Sequence, residues 1–408
     1  MPLSPLSPSA ELAADRTQPY LWTMNFGPQH PAMHTTLRLV LTLDGETVID
    51  AVPDIGYLHS GFEKLAEHLD YNQYVAVTDR MNYVSPLANN VAWHCAVEKL
   101  LGIETPRRCQ YIRVIVAELS RITDHLLALG AMGLDTGAFT HFIYAYSARE
   151  DLYDIFEAIC GARLTTSYTR VGGLKLDLSP TALQMLRDFL RRFPRTLEDM
   201  ARLLHQNRIF VDRTRGIGVL SKEDAINLSC SGPVARASGV TRDLRRDEPY
   251  LAYGDFDFDV CCDRRGDCFA RYLVRMDEMR ESVKIVQQAI ENLPAGPVNL
   301  GDQARSILPQ KTAVYTTIEG LITHFELVMS NRGIKVPCEE VYAATEAPNG
   351  ELGFYLVGDG GPRAYRARCR PPSFIHFAAF PHLIRGHTVS DVVAVLGSLN
   401  IIAAELDR

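Results

Sequence analysis

Two imidazoles, His30 and His34, fall in the stretch Met24-Asn25-Phe26-Gly27-Pro28-Gln29-His30-Pro31-Ala32-Met33-His34. An imidazole can donate or accept a proton near neutral pH and can ligate a metal. Pro28 and Pro31 fix φ and remove two backbone donors, so this stretch is a stiff loop and not helix interior. The i,i+4 spacing of the two His would converge on one metal only in a helix, and Pro31 forbids a regular one, so no metal site is expected here. Two readings stay open: a loop that presents imidazoles for binding, or a plain turn into the first strand. Asp135, before Thr136-Gly137, reads as the N-cap of a following helix. Glu118 and Arg121 form an i,i+3 pair.

The elements that must hold these groups read as follows. Residues 1–20 form a loose tail rich in Pro and Ser. Leu37 to Leu43 and Thr47 to Val52 alternate around Asp44-Gly45-Glu46, a β-hairpin pattern. Phe62 to Val77 reads as helix, as does Pro86 to Leu101 before Gly102. Arg107 to Ala131 carries Ile112, Ile115, Leu119, Ile122, Leu126 and Leu129 at alternating steps of three and four, one buried stripe. Glu118, Arg121 and Asp124 lie off that stripe, and Gly130 and Gly133 close the helix. A second long helix follows from Ala138 to Cys160. Its aromatics Phe142, Tyr146, Tyr153 and Phe156 read as core. Further helices are expected over Pro180–Arg192, Leu197–Gln206 and Cys268–Leu293. The last hundred residues mix short strands, Gly353 to Val357 and Ser373 to Phe377, with a helix from Ser390. The fold class is α+β, divided as 1–20 tail, 21–62 N-terminal β region with the His loop, 63–300 helical core, and 301–408 C-terminal α/β region.

Composition narrows the function. With 408 residues and 47% hydrophobic content the chain can bury a large core. A net charge of −7 without a basic tract argues against nucleic-acid binding. The longest apolar run, Val392 to Ala404, is broken by Gly397, Ser398 and Asn400 and is too short to span a bilayer. Met1 to Thr17 has no basic n-region or apolar core, so it does not read as a secretory signal. The chain reads as cytoplasmic, with membrane contact through a partner. Nine Cys without a C-x-x-C pair fit reduced thiols. Arg170 to Lys175 is a turn and not a phosphate loop. No dinucleotide fingerprint, Walker motif, nucleophile elbow or H-E-x-x-H pattern occurs.

Several rare segments occur together in one order. They include Asn25-Phe26-Gly27-Pro28-Gln29-His30-Pro31, Ile55-Gly56-Tyr57-Leu58-His59-Ser60-Gly61-Phe62-Glu63-Lys64, and Thr78-Asp79-Arg80-Met81-Asn82-Tyr83-Val84-Ser85-Pro86. Glu118-Leu119-Ser120-Arg121, Arg236-Ala237-Ser238-Gly239-Val240 and Leu406-Asp407-Arg408 follow. From about Thr23 to Arg408 the chain resembles the 49-kDa subunit family of respiratory complex I, NADH:quinone oxidoreductase. That family is related to the nickel–iron hydrogenase large subunit, which implies a hydrogenase large-subunit-like fold. The places of its two Cys pairs, about Arg80–Val84 and Asn400–Glu405, hold no Cys here. Without thiolates a nickel centre has no ligands, and the resemblance implies a cavity reused for a quinone headgroup.

The resemblance implies that Tyr83 and His34 donate protons to the headgroup and that Asp135 pairs with the imidazole. His30 and Met33 join them in quinone binding, while Arg80, His59 and Thr165 lie near a cluster held by a neighbour. It implies no cofactor on this chain, with iron–sulfur clusters and FMN in partner subunits. The implied partners are an iron–sulfur subunit with the terminal cluster, a 30-kDa-type subunit, a ferredoxin-like subunit and a quinone-channel membrane subunit. The implied place is the inner membrane, peripheral on its cytoplasmic side, in a proton-pumping complex. Asn82 and Asn400 stand where relatives have Asp, Thr165 where many have His, and Ser60 where many have Arg. Loss of a protonatable group at 165 suggests a low-potential quinone such as menaquinone. The two Asn also admit an alternative, a scaffold subunit without quinone chemistry.

Overall fold

The structure, a computed structural model, describes residues 20–300, 309, 311–329 and 333–408. All but one residue of the expected tail lies outside the described residues. The N-terminal sheet has three antiparallel strands in the order β1 (Leu21–Phe26), β2 (Arg38–Asp44) and β3 (Thr47–Asp54). On β2, Leu39, Leu41 and Leu43 are buried while Arg38, Val40 and Thr42 are half-buried, the period of two that the hairpin pattern demands. β1 was not foreseen. It is an edge strand whose one buried residue is Phe26, so its alternation is too weak to read. It matters because the His loop leaves directly from its end.

Expected helix Phe62–Val77 is two short helices, α1 (Phe62–Ala66) and α2 (Val75–Met81). Between them the Asp70 carbonyl accepts from the backbone N–H groups of Gln73 and Tyr74, and the Trp93 indole donates to the Tyr71 carbonyl at 2.9 Å. These bonds hold a turn in place of helix. α3 (Pro86–Leu101) follows as read and stops at Gly102 in the left-handed region.

α4 (Arg107–Asp135) is the centre of the molecule, 29 residues and about 44 Å long. It packs against α3, α5 (Phe139–Cys160), α11 (Cys268–Glu291) and α15 (Val389–Leu399). The six apolar stripe residues are all buried, but so are Glu118, Arg121 and Asp124. Gly130 and Gly133 do not close α4. A Cβ at Gly130 would lie 3.1 Å from the Ala145 Cβ, and one at Gly133 would lie 2.7 Å from His141 Nδ1. They let α4 and α5 approach closely. α4 therefore ends on Asp135, and the N-cap of α5 is Ala138, not Asp135. On α5 Phe156 is buried and Tyr153 packs on the core, while Phe142 and Tyr146 are half-buried.

The two helices expected over 180–206 are one, α6 (Pro180–Leu204), which runs through Pro194. Its stripe of Leu186, Phe189, Leu190, Phe193, Leu197, Met200 and Leu204 is buried without a break, and that burial outweighs the cost of the proline. Short helices α7 (Arg208–Asp212), α8 (Lys222–Asn227), α9 (Gly232–Arg236) and α10 (Leu244–Asp247) lead into α11. Beyond lie α12 (Lys311–Thr316) and α13 (Ile318–Val328).

The C-terminal sheet is antiparallel in the order β6 (Glu340–Ala347), β7 (Gly350–Gly358) and β8 (Ala364–Arg370), after the two-residue pair β4 (Thr169–Arg170) and β5 (Gly173–Leu174). It packs on α3, where Trp93 meets Phe354 edge-on at 5.4 Å. Ser373–Phe377 is not a strand but the start of α14 (Pro372–Ile384). Phe377, Phe380, Leu383 and Ile384 repeat at helical spacing and are buried, with Pro372 at the first position. The helix from Ser390 is α15 and then α16 (Ala403–Asp407), parted by Asn400 at φ 55°. Among the described residues no helix is long and apolar enough to cross a membrane.

Candidate functional site

The loop at the end of β1 is held open by Gly27. At φ +89° a Cβ there would lie 2.0 Å from the Leu37 carbonyl oxygen, so only glycine lets β1 turn off beside β2. Pro31–Met33 then form a single 3-10 turn. His30 caps it: its Nδ1 accepts from the Ala32 N–H at 3.2 Å, and its ring lies 4.3 Å from that of Phe26. Met33 is buried and anchors the turn in the core. His34 ends the turn in the left-handed region at φ 56°, a conformation that a packed neighbourhood must hold in place.

That backbone aims the His34 imidazole at the end of α4. Nε2 of His34 lies 2.7 Å from Oδ2 of Asp135, with the imidazole 29% exposed and the carboxylate 11%. Asp135 is the last residue of α4, where the helix dipole disfavours a carboxylate and a nearby hydrogen-bond donor or positive charge offsets that cost. A residue read as an N-cap thus faces an imidazole at the opposite kind of helix end.

Tyr83 comes from the short link between α2 and α3. Burial, and then the negative charge of Asp124, pushes its phenol above the usual tyrosine range, against a smaller opposing effect of Arg149. Tyr83 and His34 line the same cavity of 540 Å³, the size of a small-molecule site. His30, Met33 and Asp135 line it as well. Most of the remaining wall is apolar, with Leu127, Ala128 and Ala131 from α4, Leu396 from α15, and Ile401 and Ile402 from the link between α15 and α16. Tyr146 and Asn400 also face it. The period of α5 gave no sign that Tyr146 is a lining residue.

The structure thus gathers His30, Met33, His34, Tyr83 and Asp135 on one cavity, and places Arg80, His59 and Thr165 off it. Arg80 is exposed and donates to the Ala76 carbonyl at 2.7 Å; Thr165 is exposed. His59 donates from Nδ1 to the Asp407 carbonyl at 2.8 Å. The Asp407 carboxylate accepts from the Gly56 and Leu58 N–H groups at 2.9 and 2.7 Å, so the C-terminal helix clamps this loop. A second cavity of 470 Å³ lies elsewhere, lined by Asp70, Tyr71, Arg170 and Lys175 among others.

Directly behind the first cavity sits Asp124. Nδ2 of Asn400 donates to one carboxylate oxygen at 2.6 Å and Nδ2 of Asn82 to the other at 3.3 Å. Asn400 Nδ2 also donates to Oδ1 of Asn349, in the β6–β7 turn, at 2.6 Å. The Asn82 and Asn400 amides therefore both hold one buried carboxylate. Burial raises the Asp124 carboxyl, although His125, Arg275 and the two amides pull the other way.

Deeper along α4 is a buried ion network. Glu118 accepts from Arg121 Nε at 3.2 Å, Arg245 Nη1 at 3.1 Å, Tyr253 Oη at 2.7 Å and Ser282 Oγ at 2.6 Å. Glu278 meets Arg236 at 2.8 Å and His125 at 2.9 Å, and Arg236 meets Glu346 at 2.7 Å. These charges lock α9, α10, α11 and β6 to α4 or to each other.

Comparison with known proteins defines first a class. The chain is 50% identical over 385 residues to the D-type subunit of the NADH-quinone oxidoreductase of Methylacidiphilum infernorum, covering 94% of this chain and 91% of that one. It is 48% identical over 404 residues to a D-type NADH-quinone oxidoreductase chain of Opitutus terrae, covering 99% and 93%, and 49% identical over 385 residues to one of Rhizobium meliloti, covering 94% and 95%. These place it among the subunits of a multi-subunit oxidoreductase. The family model for the respiratory-chain NADH dehydrogenase 49 Kd subunit matches residues 135–408, and the chain belongs to that family.

Proposed function

We propose that this chain forms, with a neighbouring iron–sulfur subunit, the cavity in which a quinone headgroup is reduced and protonated. The observation that carries the reading is the convergence of two proton donors, Tyr83 and the His34–Asp135 pair, on one largely apolar cavity. A quinone that takes two electrons must take two protons, one at each oxygen. Electrons are supplied from an iron–sulfur cluster of the neighbouring subunit. The half-buried Tyr83 phenol, raised by that burial and by Asp124, holds its proton firmly, so it gives that proton up only to the strongly basic reduced headgroup. His34 supplies the second proton. Its loss leaves the Asp135 carboxylate uncompensated at the end of α4, a change in charge that can drive movement in membrane partners and couple reduction to proton translocation. On this reading the chain is peripheral, on the cytoplasmic side of the inner membrane.

The scaffold alternative rested on Asn82 and Asn400. Both amides are engaged with Asp124, while Tyr83 and His34 are both present on the cavity. The test uses assembled complex in native membranes. His34→Ala is expected to lower quinone reduction about 10²-fold and Asp135→Asn about tenfold, as for loss of a general acid and of the group that orients it. Reduction of a hydrophilic acceptor that takes electrons upstream is expected to be unchanged. Wild-type quinone reduction in both variants would favour the scaffold.

A further inference from the structure

Behind the cavity wall lies a carboxyl group with no assigned role. Glu405, on α16, is 1% exposed. One of its oxygens accepts a short hydrogen bond from the Ser373 hydroxyl, and the other, Oε1, has no partner. Among the described residues no Lys, Arg or His forms an ion pair with it, in contrast to Glu118 and Glu278. An unpaired buried carboxylate is costly, whereas the neutral acid is tolerated. The position has a direction too. Ile401 and Ile402 line the cavity, α16 begins at Ala403, and Ser373 also receives the Ile402 N–H at 3.3 Å.

Other buried polar atoms near Asp124 are likewise unpartnered. They include Asn349 Nδ2, on the amide bonded to Asn400, and Nδ1 of His125, the residue after Asp124. Buried polar atoms without protein partners are commonly satisfied by ordered water. From this geometry we infer that Glu405 is a buried, protonated acid that resupplies protons to Tyr83 through internal water and Asp124. The inference rests on the reading of Tyr83 as a headgroup donor.

In the step, the O–H bond of the Glu405 acid breaks and the O–H bond of the Tyr83 tyrosinate forms. No electron moves, and Glu405 regains a proton from bulk water. The charged and titratable groups that act on Glu405 agree with a held proton. Burial pushes its carboxyl up to about 8; the Ser373 hydrogen bonds oppose this and the Asp124 charge adds to it. Burial first, and the Glu405 and Glu63 carboxyls after it, raise the neighbouring Cys369 thiol on β8, so no thiolate faces Glu405. Burial raises the Asp124 carboxyl as well.

The test is the pH profile of quinone reduction by assembled complex in native membranes. Wild type is expected to lose activity as pH rises through about 8, where Glu405 gives up its proton. Glu405→Gln cannot hold a proton at any pH. It is expected to run about tenfold slower below that point, with the alkaline limb abolished. Glu405→Asp is expected to restore a limb at a shifted pH. Upstream reduction of the hydrophilic acceptor stays level in all three. A Glu405→Gln profile that superimposes on wild type would overturn the inference. So would an infrared difference spectrum in which wild type shows no protonated carboxylic acid band that Glu405→Gln loses. The infrared band is read without turnover, so its absence would overturn the proton-holding role even where Tyr83 variants uphold the cavity reading.

Discussion

Tyr83→Phe is expected to lower quinone reduction by about 10²- to 10³-fold, with reduction of a hydrophilic upstream acceptor unchanged. The substitution keeps the ring that helps wall the cavity and removes only the phenolic O–H. Since that O–H gives its proton as charge develops on the headgroup oxygen, the loss is expected in kcat, with KM for quinone moving little. Equal losses with both acceptors would mean a defect in assembly or electron entry. Unchanged rates with both would make Tyr83 a packing residue.

Glu118→Gln is expected to cost about 3–5 kcal/mol of stability and to cut the yield of assembled complex, because it strips a fully buried network of one charge. Arg121 and Arg245 lose their shared carboxylate, and the carboxamide must serve the Tyr253 and Ser282 hydroxyls with one oxygen. The pH dependence follows from the ionisation of Glu118. Burial alone would raise its carboxyl, but Arg121, Arg245 and the two hydroxyls outweigh that and hold it at about 2. Its ordinary value in an unfolded chain is about 4.3. The contribution is therefore complete above about pH 4 and is lost as pH falls through about 2. Thermal unfolding of the assembled complex is the readout. Wild type should lose stability across that acid window, and Glu118→Gln should be less stable at neutral pH and lose less of its stability on acidification. A variant as stable as wild type at neutral pH would show that the network is compensated elsewhere.

The same network shows why parts of the molecule were legible in the sequence and others were not. The stripe from Ile112 to Leu129 was readable because its signal is local, a 3.6-residue period within one helix. Glu118 and Arg121 also have a local signal, an i,i+3 pair, but it suits a solvated face. What buries them is Arg236, Arg245, Glu278 and Glu346, more than a hundred residues away along the chain. Gly130 and Gly133 read as stops because a glycine that ends a helix and one that lets two helices touch look alike until the neighbour is known. The loop with His30 and His34 was legible as stiff from its two prolines, and its partner Asp135 came from resemblance and not from spacing. Ser373–Phe377 was misread because a short run with two phenylalanines fits strand or helix. Its period emerges only when Phe380 and Ile384 are included. Nothing local tells that Asn400 breaks the last helix and reaches Asp124, which is the contact that ties the cavity wall to the buried acids behind it.

The central claim is that the cavity between His34 and Tyr83 holds the quinone headgroup. The most direct measurement is photolabelling of the assembled complex with a quinone carrying a photoreactive group on its ring, followed by mapping of the labelled peptides. The account predicts label on the segments around residues 30–34, 83 and 396–402, displaced by excess unlabelled quinone. Label confined to partner subunits, or to the second cavity at residues 70–73 and Lys175, would contradict it.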